Sequence, residues 1–193
     1  MEKMIFAPNV LLVDAACLDR VGGDMARHFA PVVGRELPKA DLAVLLECLA
    51  LDAGVPVGEN EIQVVFVYDS LSARMDFCRP SDLEKELHNV AFKGRLGEFS
   101  LYGFQPSGMA SREELFMETL QLLGESENAR RVAVLPDERA YGGKVAEALE
   151  KWEKKDRVTV FGMNPPVQAS GKYRYEMMGY AILQSLGIRA DEL

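Results

Sequence analysis

Short apolar runs rich in β-branched residues recur along the chain, and three of them stop on an acid. Val10-Leu11-Leu12-Val13 runs into Asp14, Val64-Val65-Phe66-Val67-Tyr68 into Asp69, and Val132-Ala133-Val134-Leu135-Pro136 into Asp137-Glu138. A fourth run, Val158-Thr159-Val160-Phe161, stops on Gly162. Runs of this length without polar alternation read as strands buried on both faces of a parallel sheet. The pattern therefore predicts strands over residues 9–14, 62–68, 131–135 and 157–161. Residues 99–104 alternate instead and predict a further strand near an edge.

Between these runs the pattern takes on helical spacing. Residues 19–28 predict a helix loosened by Gly22-Gly23, and residues 39–52 one that is apolar nearly all round and so deeply buried. Gly54 and Pro56 follow the second, as helix C-termini prefer. Ser81 with Glu84, and Ser111 with Glu114, have the spacing of a capping box and predict helices from 80 and from 111. The second of these has Leu115, Phe116, Thr119, Leu120, Leu122 and Leu123 as its apolar face. Residues 141–154 and 175–186 predict two more helices, separated by the strand at 157–161 and a Pro/Gly loop at 164–172. Strands alternating with helices predict an α/β fold, a three-layer Rossmann-like domain with a mainly parallel central sheet. Its crossovers are expected to be right-handed.

Composition narrows the partners more than the fold. The chain has 193 residues, 48% hydrophobic and 27% charged, which suits one globular domain over 1–193. Its net charge is −8, from 30 acids against 22 Lys plus Arg, and a surface of that sign repels phosphate backbones at long range. Cys17, Cys48 and Cys78 are odd in number and form no CxxC pair, so neither a zinc ribbon nor a disulfide framework is indicated. Lys3 ahead of residues 4–13 resembles the start of a leader, but Pro8-Asn9 interrupts the run and Asp14 closes it. The run is also far short of the ~20 residues that cross a bilayer. It reads as the first strand of a cytoplasmic protein with no membrane partner.

Several chemistries lack their motifs. No GxGxxG follows the first strand. Gly142-Gly143-Lys144 and Gly171-Lys172 lack the frame of a phosphate-binding P-loop, and no G-x-S-x-G elbow occurs. Asp14-Ala15-Ala16 lacks the second Asp of an aspartyl-phosphate enzyme. With only His28 and His88, a histidine-rich metal site is impossible. Carboxylates remain. In an open parallel sheet, ligands sit outside the carboxyl ends of the strands, so acids at those ends point to one rim. Oxygen donors suit Mg²⁺ or Mn²⁺. Two carboxylates about 5 Å apart repel by roughly 3 kcal/mol at an effective dielectric near 20, so a cluster either binds a cation or keeps a proton. The competing role is structural: an Asp at a strand end commonly caps the next helix or turns the chain.

The order of these runs resembles the NYN branch of the PIN-like nuclease superfamily. The likeness covers roughly residues 9–162 and is closest over 131–141. It implies a PIN-like fold and a Mg²⁺- or Mn²⁺-dependent ribonuclease. Asp14, Glu114 and Asp137 would be its catalytic metal ligands, with Asp69 and Glu138 assisting, and RNA its substrate. Glu118 is an alternative for the middle-helix acid. The chain departs from the family pattern at Cys17, where Asn is usual, at Leu135-Pro136, where Ser-Gly is usual, and at Arg139, where a second Asp is usual. Arg139 could contact a phosphate or pair with Asp137. These departures imply the alternative, an inactive PIN-like module that binds a protein partner or a nucleotide. Tyr173, Tyr175, Met177, Met178 and Tyr180 cluster near the end of the chain and suit core packing or a homodimer face.

Overall fold

The computed structural model describes residues 4–153 and 155–193. Lys3 and Lys154, used in the sequence reading, lie outside them. The buried apolar runs assemble into one seven-stranded sheet. Its strands are β1 (Asn9–Asp14), β3 (Asn60–Val67), β5 (Val90–Gly94), β6 (Gly97–Phe104), β7 (Arg131–Leu135), β8 (Arg157–Gly162) and β9 (Arg174–Met177). They stand in the order β5-β6-β3-β1-β7-β8-β9. Only β5 runs antiparallel to its neighbour. Counted along the chain, the six parallel strands lie 3-2-1-4-5-6, the order of doubly wound Rossmann-like sheets. The order reverses between β1 and β7.

Helices cover both faces, as fully buried strands require. On one face lie α1 (Ala15–Val33), α2 (Leu42–Asp52) and α5 (Gly179–Ser185). On the other lie α3 (Arg112–Glu125) and α4 (Glu138–Glu150). Alternate residues of β1 divide between the two cores: Leu11 and Val13 face the first, Val10 and Leu12 the second. A small separate pair, β2 (Ala40–Asp41) with β4 (Cys78–Arg79), flanks the first face. No described helix is long and apolar enough to cross a membrane. Cys17, Cys48 and Cys78 are free thiols.

The helices expected over 19–28 and 141–154 form over 15–33 and 138–150, and other departures from the sequence reading have a local reason. Residues 80–87 form turns rather than a helix. Asp82, not Ser81, accepts the backbone N–H groups of Glu84 and Lys85, and the Glu86 carboxylate accepts those of Ser81 and Asp82. These donors are satisfied within the turn, and no helix is needed to satisfy them. Leu83 and Leu87 still enter the core. The helix expected from residue 39 starts at Leu42, because Asp41 caps it and Ala40 pairs with Cys78. Residues 174–177 form the edge strand β9 instead of the first turn of the last helix. The alternating Tyr-Arg-Tyr-Glu-Met sequence has a period of two there, not 3.6. The edge beyond β6 is β5, whose weak pattern of Val90, Ala91 and Phe92 gives little signal. Gly97, at φ +127° with Asn60 backbone where a Cβ would sit, turns the chain between them.

Candidate charged centre at the carboxyl edge

Asp14, Asp69 and Asp137 follow three neighbouring parallel strands, so the fold brings them to one edge on either side of the point where strand order reverses. Asp14 is fully buried and Asp137 nearly so. Both aspartates also cap the helix that follows. Asp14 accepts the backbone N–H of Cys17 at 3.1 Å, and Asp137 that of Ala140 at 3.3 Å. Asp69 accepts the Leu71 N–H at 3.0 Å and the Ser72 hydroxyl at 2.9 Å, closing its loop. The capping role and the shared rim therefore coexist.

Two arginines complete the arrangement. Ser111 caps α3 by accepting the Glu114 N–H, which sets the first turn of that helix above the sheet edge. Arg112, the next residue, reaches down between two strand ends. Its Nε lies 3.1 Å from both carboxylate oxygens of Asp14, and its Nη1 2.5 Å from Asp69. From α4, the buried Tyr141 hydroxyl donates to Asp14 at 2.5 Å. Tyr141 departs from helical geometry (φ −148°, ψ 22°), a kink in the turn that carries this hydroxyl. Asp14 thus holds a guanidinium, a hydroxyl and a backbone amide. From α1, Arg20 binds Asp137 through both terminal nitrogens at 3.3 Å, and its Nη2 lies 3.7 Å from the Cys17 sulfur.

The electrostatics follow from these partners. Burial alone would raise the Asp137 carboxyl, but the Arg20 hydrogen bond and charge hold it below the usual carboxylate value. Asp69 is likewise held below it against its own desolvation, by Ser72 and Arg112. Burial, reinforced by nearby Asp137, pushes the Cys17 thiol up to about 12, so it carries its proton at neutral pH. Burial and the adjacent Asp14 carboxylate raise Tyr141 well above a free phenol.

The remaining acids named from sequence lie apart from this contact set. Glu114 is exposed on the first turn of α3 and makes no side-chain hydrogen bond or ion pair among the described residues. Glu138 holds the β8–β9 connection. It accepts the backbone N–H groups of Met163 and Asn164 at 2.8 and 3.1 Å and the Tyr175 hydroxyl at 2.7 Å. Glu118 is exposed on the same helix as Glu114. Arg139 does not pair with Asp137; it is exposed, and Arg20 takes that place. Among the described residues, no group of three or more His, Cys, Asp and Glu side chains is arranged to hold a metal ion. Sequence reasoning missed Arg20, Arg112 and Tyr141. The only local sign was that Arg112 follows a helix-capping serine, directly above the rim where the acids converge.

No curated protein and no solved structure is significantly similar to the chain. The model of a family of unknown function, DUF6621, matches residues 3–193, and the chain belongs to that family.

Proposed function

We propose that this chain is a PIN-like module in which the catalytic acids have become structural, and that it acts by binding a partner rather than by cleaving RNA. The observation that carries this reading is the occupancy of Asp14. Its two oxygens are taken by Arg112, Tyr141 and the Cys17 amide. A divalent cation prefers several free oxygen donors and is repelled by a guanidinium among them. Asp69 shares the same arginine, and Asp137 is paired with Arg20, so the donor set does not fit Mg²⁺ or Mn²⁺. The acidic net charge is a second support, since it opposes a polyanionic substrate.

Incubation of the purified chain with single-stranded RNA and millimolar Mg²⁺ or Mn²⁺ tests the reading. The expected result is intact RNA. Metal-dependent cleavage that disappears in a folded Asp14→Asn variant would overturn it and restore the nuclease alternative, for which the convergence of Asp14, Asp69 and Asp137 is the supporting feature.

A further inference from the structure

The last strand of the sheet has an unpaired outer edge whose sequence complements itself. Among the described residues, β9 pairs with β8 on one side only. The Met178 N–H donates to the Gly162 carbonyl at 3.1 Å, so the backbone at 178 points toward β8. Because backbone groups alternate along a strand, those of Glu176 and Arg174 also point toward β8, and those of Tyr173, Tyr175 and Met177 point outward. A bare row of such groups is a template for another strand.

Side chains alternate across the two faces of the sheet. Tyr173 and Tyr175 pack on the α3–α4 side. Arg174 and Glu176 take the other side, where the Glu176 charge is close enough to Asp52 of α2 to raise that carboxyl, after the larger effect of its burial. Glu176 thus faces a like charge, and neither it nor Arg174 has an ion pair among the described residues. Met177 and the nearby Tyr180 are exposed at 44% and 73%.

We propose that β9 is a homodimer interface in which two copies pair antiparallel about a two-fold axis at Tyr175. In that register Tyr175 meets the partner's Tyr175, and Tyr173 meets the partner's Met177. These are the outward-pointing residues, so each pair exchanges backbone hydrogen bonds. Arg174 then lies opposite the partner's Glu176, and Glu176 opposite the partner's Arg174, in the closer non-hydrogen-bonded pairing. One ion pair forms on each side of the axis, and the aromatic and Met side chains line the other face. The contact is isologous and closes at two copies. A shift of one residue would set like charges or mismatched groups opposite each other, so the charge pattern selects this register. The proposal is independent of whether the charged centre is catalytic.

Sedimentation equilibrium of the full chain tests it with a charge-reversal cycle. The wild type is expected to be a dimer. Arg174→Glu or Glu176→Arg alone sets like charges opposite each other and is expected to weaken dimerisation by roughly tenfold or more. The double variant, Arg174→Glu with Glu176→Arg, rebuilds both pairs and is expected to dimerise again. Circular dichroism of each variant should match the wild type, because both positions lie at the sheet margin. A wild type that stays monomeric up to about 1 mM overturns the proposal. So does a dimer indifferent to either single reversal, or a folded double variant that does not regain the dimer.

Discussion

Asp14 and Asp137 occupy equivalent places in the fold. Each ends or immediately follows a parallel strand, each caps the next helix, and each faces an arginine from a helix elsewhere in the chain. Their surroundings differ. The Asp14 side chain is 0% exposed and its Arg112 partner 24%, whereas Arg20, which partners Asp137, is 42% exposed. Asp14 also has the Tyr141 hydroxyl, and Arg112 is shared with Asp69. The two carboxylates are thus almost equally buried, and the pairs differ in how open their arginines are to water. A pair cut off from water carries a large penalty when one partner is removed, while a half-solvated pair is relieved by water and screened by salt.

This contrast gives an order of effects. Arg112→Met should destabilise most, by about 3 kcal/mol, because it leaves the buried Asp14 charge without its cation. Urea unfolding would read this as a lower midpoint at unchanged slope. Tyr141→Phe removes one hydrogen bond to the same carboxylate and should cost about 1.5 kcal/mol, with the aromatic ring still packed on Phe116. Arg20→Met should cost less, about 1 kcal/mol, since the Arg20 side chain is 42% exposed and water can reach the Asp137 carboxylate in its place. Equal losses from the Arg112 and Arg20 substitutions would remove the distinction between the two pairs.

Acid should sharpen the same comparison. Asp69 and Asp137 have folded values below the ordinary carboxylate value of 3.8. A group of this kind contributes stability that is fully present above its unfolded pKa and is lost as pH falls through its folded value. Stability should therefore decline as pH drops below about 4, and the decline should be shallower in Arg20→Met, where Asp137 has lost the partner that lowers it. Thermal midpoints taken across that range would show both slopes.

The sequence made the sheet legible because its parallel strands are buried on both faces and read as uninterrupted apolar runs. β1 and β7 were placed to the residue, and β3 and β8 to within two. β9 and β5 were not, because edge strands are short and half-exposed, and the period-two alternation at β9 spans only a few residues before the last helix begins. At the charged centre, Asp14, Asp69 and Asp137 were legible from their places after strands. Arg112 and Arg20 were not. Each reaches its aspartate across about a hundred residues of chain, at separations of 98 and 117, and nothing local to either arginine records that distance. Glu138 was recognised as an acid at the right edge, but its side chain turns toward the β8–β9 connection. Met163 and Asn164 of that connection and the Tyr175 hydroxyl of β9 donate to it, and no spacing along the chain reveals this.

Arginines already neutralise the acids of the carboxyl edge. Calorimetric titration of Mn²⁺ into the wild-type chain near neutral pH reads this out. No saturable heat is expected at millimolar metal; a saturable site that vanishes in a folded Asp14→Asn variant would show instead that these acids stay open to a cation.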